Sequence, residues 1–282
     1  MKKFSLITLF LLLALLLYLF LKTENKFEYL KSESIPVKTE TTNTDFKSVS
    51  INQGSFSFAY LDLNTKKEIT INPSEKYYYA SIFKIPVAVT VLKNIDAGNY
   101  KLTDKLSFLS EDYTTGDGLL QYKDLGTSYT IDQLLAMLLQ NSDNVAMNIF
   151  IRTFGLDNIY YTALSLGTSE SFANDNIGTI KDGVIMFETI DSSNIISKNS
   201  KSILYNYLTD TSFENRIKPG LKPDSILVHK IGTWPDTQSY HDCGIVINPK
   251  YKYVICVLTK NTSLLQAKEI STKLSQITES LY

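Results

Sequence analysis

Two hydrophobic periodicities divide this 282-residue chain, and their order restricts the folds open to it. Ser55 to Leu63 alternates with period two and so, beyond Lys66-Lys67, does Glu68 to Ile71, which predicts an antiparallel hairpin. From Ser81 to Ala97 the period is helical: Ile82, Ile85, Val89 and Leu92 share a stripe, Gly98 stands as a C-cap, and Pro86 is expected to cost one hydrogen bond. Thr130-Ile-Asp-Gln133 has capping-box spacing, and Leu134, Leu135, Leu138 and Leu139 predict a buried helix ending near Asn141. A further helix is expected from about Thr179. Strand character returns over Ile226–Ile231, His241–Ile247 and Tyr253–Thr259, with Asn248–Tyr251 as a turn, before a last helix over 264–281. Strands at both ends with helices between give an α/β (α+β) class: an antiparallel β-sheet built from both chain ends, flanked by helices, with an inserted all-helical subdomain. Clefts form where such lobes meet.

Ahead of this lies a different kind of sequence. Phe4 to Leu21 carries no charge, which over 18 residues is the threshold for a membrane span. Leu19-Phe20-Leu21-Lys22 offers no small-residue cleavage site, so residues 1–21 read as an uncleaved anchor rather than a signal peptide. No cysteine follows the run, which excludes lipid attachment there. Lys2 and Lys3 place the N-terminus in the cytoplasm by the positive-inside rule, and the expected location is the cell membrane, single-pass, with the rest of the chain extracytoplasmic. Residues 22–44, rich in Lys, Glu, Thr, Ser and Asn around Pro36, read as a polar linker. Residues 45–282 show no internal repeat and read as one domain, expected to be monomeric.

Charge and cysteine content remove several functions. With 28 Lys+Arg against 29 Asp+Glu there is no basic excess to neutralise a phosphate backbone, so no nucleic acid is expected as partner. Cys243 and Cys256 lack the spacing of a zinc ribbon or redox pair, and His229 and His241 stand apart from any acidic cluster, so neither a metal nor another cofactor is expected. The two cysteines are symmetric about Pro249-Lys250 and would face each other across a two-residue loop, making a cross-strand disulfide an option outside the cytoplasm. Buried free thiols are the expectation, because a four-residue loop would change the pairing.

Three short motifs carry chemistry. Ser81-Ile82-Phe83-Lys84 sets a hydroxyl and an amine three residues apart at a helix start, on one face, where a partly neutral amine can take the serine proton. Ser142-Asp143-Asn144 follows the second helix, where a short loop can direct a hydroxyl and a carboxamide into a cleft. His229-Lys230-Ile231-Gly232-Thr233 ends a strand, with Lys230 a fixed positive charge and Gly232 permitting close approach. Alone each has an ordinary explanation: a solvated helix start, a turn, a strand ending at glycine. Thr115-Gly-Asp-Gly118 is most simply a turn near the cleft, Tyr113 a rim residue, and Tyr77-Tyr78-Tyr79 core packing rather than a carbohydrate platform.

Together, in this order, the motifs resemble those of the class A serine β-lactamases and related penicillin-binding proteins. The resemblance runs from about Ser55 to Tyr282 and takes in Ala59 to Asn64, Leu92 to Gly98 and Arg216 to Pro223. It implies a β-lactamase/transpeptidase-like fold with Ser81 as nucleophile, Lys84 as its base and Ser142 as proton relay to the leaving nitrogen. Asn144 would hold the substrate amide, Lys230 would supply the positive field, and Gly232 and Thr233 would border the substrate. The backbone amides of Ser81 and Thr233 would form the oxyanion hole. The implied substrates are a small-molecule β-lactam or a peptidoglycan-like peptide. A D-alanyl-D-alanine carboxypeptidase and a non-catalytic ligand-sensing module are the alternatives.

Two departures stand out. The family's Glu-x-x-Leu-Asn segment, whose acid activates the deacylating water, is not found; eleven residues, 168–178, separate Gly167 from the next helix, and Glu170 and Asp175 are their only acids. Glu170 is the deacylation candidate, with a solvated loop carboxylate as the plainer reading of either. Ile231 stands where the family has a hydroxyl for the substrate carboxylate; either Thr233, two residues on along the same side, compensates, or the substrate lacks the usual carboxylate.

Overall fold

The strands at the two ends of the chain meet in one sheet. The computed structural model describes residues 44–282, so the apolar run at 4–21 and nearly all of the polar linker lie outside the described residues. In chain order the strands are β1 (Ser55–Asp62), β2 (Glu68–Ile71), β3 (Lys76–Tyr78), β4 (Lys105–Ser107), β5 (Ser128–Thr130), β6 (Ile177–Thr179), β7 (Ile226–Trp234), β8 (Ser239–Ile247) and β9 (Lys252–Lys260). The helices are α1 (Thr44–Lys47), α2 (Lys84–Asp96), α3 (Ile131–Gln140), α4 (Asn144–Phe154), α5 (Leu156–Ser165), α6 (Glu170–Asp175), α7 (Ile180–Ser192), α8 (Lys198–Thr209) and α9 (Leu264–Glu279). The main sheet is antiparallel in the order β2-β1-β9-β8-β7, and β1 pairs with β9 from Ser55↔Lys260 to Asp62↔Tyr253. The α+β architecture with a helical insertion is the one expected.

Period-two alternation assigns each strand residue to one of two cores. Phe56, Phe58 and Tyr60 of β1 face α9, with Leu227, Val246, Tyr253, Ile255, Ile270 and Leu274. Ala59 and Leu61 face the opposite side, with Val228, Ile245, Val254 and Leu258, where the core continues into α2 to α8. In α3 the Thr130 side chain accepts from Gln133 N at 3.1 Å, and Gln133 Oε1 accepts from Thr130 N at 2.9 Å. Leu134, Leu135, Leu138 and Leu139 then lie fully buried, each contributing roughly 1.5–3 kcal/mol.

Several boundaries differ from the sequence reading. The segment at Ala80–Phe83 is a 3-10 turn, and the α-helix proper starts at Lys84. Pro86 therefore falls in the first turn of α2, where N–H groups lack intrahelical acceptors, and costs it nothing. β7 does not end at Ile231; pairing continues through Gly232↔His241 to Trp234↔Ser239, which puts Lys230 mid-strand. Cys243 and Cys256 are not free thiols but a disulfide. The four residues 248–251 do not shift the register, because Asn248 and Tyr251 exchange both backbone hydrogen bonds (2.9 and 3.3 Å), leaving Pro249-Lys250 as the turn and Cys243↔Cys256 as a direct pair. Among the described residues no helix is long and apolar enough to cross a membrane.

Candidate active site

Ser81, the nucleophile expected from the sequence, follows a strained connection. Between β3 and α2, Ala80 has φ +51, a left-handed conformation that costs a residue with a Cβ roughly 1–3 kcal/mol. Neighbouring groups hold it there. Tyr79 N donates to Asn176 O at 2.9 Å, Asn176 Nδ2 donates to Ala80 O at 3.0 Å, and Gly183 N donates to the Tyr79 hydroxyl at 3.0 Å. The outcome is that Ser81 opens onto the junction of the sheet and the helical subdomain.

Lys84, only 1% exposed, gathers the site around its amine. Nζ lies 3.0 Å from Ser81 Oγ, 2.7 Å from Ser142 O, 3.2 Å from Ser142 Oγ and 2.7 Å from Asn144 Oδ1. Burial pulls its pKa down to about 8, against the opposing pull of Asp117 and Asp143, so a useful fraction is neutral near pH 7. The contacts then assign the protons. Ser142 O and Asn144 Oδ1 can only accept, so they take the two N–H bonds of the neutral amine and leave its lone pair for Ser81 Oγ–H. The Asn144 orientation follows from its Nδ2, which donates to Thr115 O at 3.3 Å.

The Ser-Asp-Asn loop is built for this. Ser142 itself has φ +57, and Asp143 caps α4 by accepting from Ala146 N at 2.9 Å. The other Asp143 oxygen accepts from Leu119 N and Leu120 N at 2.7 and 2.9 Å, which fastens the 115–120 loop beside the site. Gly116 makes that approach possible, since a Cβ there would stand 2.6 Å from Asn144 Nδ2. From the sheet side Lys230, fully buried, donates to Ser142 Oγ at 3.1 Å and to Ile231 O at 3.3 Å. Burial, reinforced by the charge of Lys84, pushes its pKa well below the ordinary lysine value. The Ser142 hydroxyl thus bridges two lysines, and Ser81, Lys84, Ser142 and Lys230 form an unbroken chain of proton donors and acceptors.

Other positions are placed less simply. Gly232 and Thr233 follow Lys230 along β7, the edge strand of the sheet, where alternate N–H groups point away from β8. Thr233 and Ile231 share a side, as expected. The Thr233 hydroxyl accepts from Arg216 Nη2 at 2.7 Å, and Arg216 Nη1 donates to Gly232 O at 3.0 Å and to His241 O. Arg216 is a buried cation beside Gly232 and Thr233 of β7, and its Nε has no protein partner. The sequence reading counted it only as part of a connecting segment, because its pairing across 17 residues to Thr233 depends on the folded register. His229 Nδ1 lies 2.7 Å from Asp242 Oδ1, both fully buried, and Asp242 Oδ2 accepts from Ile217 N at 3.1 Å, which seats the residue next to Arg216. Among the described residues no group of three or more His, Cys, Asp or Glu could hold a metal ion.

The deacylation candidate Glu170 makes no hydrogen bond to Ser81, Lys84, Ser142 or Lys230. Glu170 and Asp175 are exposed on α6, pointing a charged surface at solvent. What α6 presents to the nucleophile's segment is Phe172, fully buried, with its ring 4.9 Å from that of Tyr79 and 5.8 Å from that of Phe83. The short loop is thus an apolar plug, which its two acids concealed in the sequence. Tyr77 and Tyr79 are core residues, whereas Tyr78 is partly exposed and packs on Trp234.

Comparison with known proteins gives the arrangement its lineage. The model of the beta-lactamase enzyme family matches residues 41–282. Beta-lactamase VEB-1 of Pseudomonas aeruginosa is 24% identical over 252 residues, 79% of this chain and 84% of that protein. The fold is shared with PBP-A, at a TM-score of 0.75 and 19% identity over 84% of this chain and 95% of that one. A leucine-to-glutamate variant of PBP-A, solved as an acyl-enzyme complex with penicillin G, superposes equally well, at 0.75. A family match over most of the chain, together with a serine, two lysines and a bridging hydroxyl in hydrogen-bonding sequence, means that this protein belongs to the beta-lactamase enzyme family as a class A-type serine hydrolase.

Proposed function

We propose that this protein is a membrane-anchored, extracytoplasmic enzyme that is acylated on Ser81 by β-lactams and related amides. The observation that carries the reading is the Lys84 amine, 3.0 Å from Ser81 Oγ with its two 2.7 Å contacts on the pure acceptors Ser142 O and Asn144 Oδ1. Lys84 Nζ takes the Ser81 proton as Oγ attacks the substrate carbonyl, forming the C–O bond. The developing oxyanion lies between the backbone N–H groups of Ser81 and Thr233. As the C–N bond breaks, Ser142 Oγ–H gives its proton to the leaving nitrogen and is reprotonated from Lys84 or Lys230, both within 3.2 Å. Arg216 and the Thr233 hydroxyl, coupled at 2.7 Å, receive a substrate carboxylate in place of the hydroxyl that Ile231 lacks.

Phe172 favours a particular outcome after acylation. Hydrolysis needs a water and a base on the acyl carbon, and the segment that would supply them packs a phenyl ring into the core while its two acids lie exposed. The acyl-enzyme is therefore long-lived with β-lactams, which supports a penicillin-binding, peptidoglycan carboxypeptidase-like role over rapid drug hydrolysis. Formation of a penicillin G acyl-enzyme by the PBP-A variant of the same fold lends support to the first step.

Intact-protein mass spectrometry with a fluorescent penicillin, beside Ser81→Ala, tests the reading. A persistent adduct on the wild type alone is expected; a transient adduct with drug consumed would make it a hydrolytic β-lactamase, and no adduct would sink the acylation reading. The anchor is tested by fractionation: removal of residues 1–21 should move the protein from the membrane to the soluble fraction.

A further inference from the structure

The oxyanion hole expected here takes one N–H from the segment of Ser81 and the other from β7, two pieces of chain separated by 152 positions between Ser81 and Thr233. Their spacing has to be set by something that touches both. His241 does so. Its backbone in β8 is paired directly with Gly232, the residue before Thr233, and its side chain, fully buried, reaches the other piece: Nε2 lies 2.9 Å from Tyr78 O, three residues ahead of Ser81.

The tautomer follows from the partners. Thr259 N, in β9, donates to His241 Nδ1 at 3.1 Å, so Nδ1 is the acceptor, Nε2 carries the hydrogen, and Tyr78 O receives it. Burial lowers the ring's pKa to about 3, so it keeps this neutral form at any working pH. The ring is also wedged sterically. It stands edge-on to Tyr77 at 5.8 Å, and a Cβ on Gly232 would come within 3.2 Å of its Cδ2. Glycine at 232 lets β7 lie flat against the ring and against the carbonyl of Tyr79.

We propose that His241 is a positioning residue for acylation, holding the nucleophile's segment at a fixed distance from the Gly232-Thr233 edge of β7 and so setting the width of the oxyanion hole. The ring makes no contact with substrate and moves no proton. It acts as a spacer, hydrogen-bonded at both ends, between the central sheet and the strained turn at Ala80. The inference rests on Ser81 being the acylated residue.

The test uses the full-length protein with His241→Asn and His241→Gln. The shorter Asn amide can replace Nδ1 toward Thr259 N but does not reach Tyr78 O, whereas the Gln amide places its Nε2 where it can donate to Tyr78 O. With benzylpenicillin as probe, His241→Asn is expected to lower the limiting acylation rate roughly ten- to a hundredfold, a part of what loss of one oxyanion donor costs. Half-saturation should stay within about threefold, since substrate binding groups are untouched, and the ester carbonyl band of the acyl-enzyme should move to higher wavenumber as its hydrogen bonds weaken. His241→Gln should restore the rate and the band. A folded His241→Asn protein with wild-type rate and an unmoved band would overturn the proposal, as would a His241→Gln protein as impaired as His241→Asn. If His241→Asn does not fold, the wild type decides, because the chain has only 2 histidines and their ring resonances are readily assigned. The His241 Nε2–H resonance should then shift on acylation, and an unshifted one overturns the proposal. Absence of any adduct on the wild type would instead overturn the reading on which it rests.

Discussion

Two sides of the Ser81 segment, its walls, are built from opposite materials. On one side Lys84, Ser142, Asn144 and Lys230 place four polar side chains in mutual contact at 2.7–3.2 Å, all drawn from different elements and all satisfied. On the other, α6 turns Phe172 inward against Tyr79 and Phe83 and leaves Glu170 and Asp175 in solvent. A buried polar network is costly unless every member is paired, so the first wall is a specialised structure, while the second is ordinary core packing. The contrast bears on the two halves of an acyl-transfer cycle: the groups expected to form the ester are hydrogen-bonded together, whereas the acids on α6 share no hydrogen bond with them.

The strongest way to break that contrast is to remove the base. Lys84→Met should reduce the acylation rate roughly a thousandfold, the middle of the range for a positioned general base, measured by adduct formation at fixed penicillin concentration. Ser142→Ala, which also leaves two buried lysines without their shared hydroxyl, should cost about a hundredfold in the same assay. The acidity of Lys84 gives a graded test. Its pKa is lowered from 10.5 to about 8, and the neutral amine is the reactive form, so the acylation rate should climb about tenfold per pH unit from pH 6 and level off above about 8. A rate flat between pH 6 and 8 would mean that another group is the base.

The opposite wall can be changed in the other direction. Phe172→Glu places a carboxyl among Tyr79 and Phe83, where burial would raise its pKa toward neutrality, and its smaller bulk leaves room for water. Deacylation, followed as loss of the adduct, should accelerate about tenfold or more, at a stability cost of roughly 3 kcal/mol for the lost ring packing. The smallest effect should come from Glu170→Gln, expected to change deacylation by less than about twofold because the carboxylate is exposed. If Glu170→Gln abolished adduct turnover, the division between the two walls would be wrong.

These walls were unequally legible in the sequence. The polar one could be read because its parts are contiguous: a hydroxyl and an amine three apart on a helix, a tripeptide after a capped helix, a lysine before a glycine on a strand. The apolar one could not, since a phenylalanine beside two acids draws attention to the acids, and which of them faces inward is decided by how six residues of helix dock. Arg216 and His241 escaped for the same kind of reason. Their meaning lies in partners 16 to 163 positions away along the chain, fixed by strand register and not by local pattern. That one sheet joins the two chain ends followed from the strand runs there, whereas its order and the continuation of β7 past Gly232 depended on pairings that only the fold reveals.

The Cys243–Cys256 bond bears on that register. Side chains alternate across a strand, so sliding β8 by one residue against β9 would turn His241, Cys243 and Ile245 to the face now occupied by Asp242 and Val246. A link between directly paired residues forbids the slide. Because β7 pairs only with β8 in the main sheet, the alignment of Lys230 and Thr233 with Ser81 is inherited from that bond, whose Cys243 lies on the neighbouring strand directly opposite Lys230. In a chain that forms it late, after pairing, the disulfide works as a proofreader: strands matched out of step cannot bring the two sulfurs together, and only correctly threaded molecules are sealed.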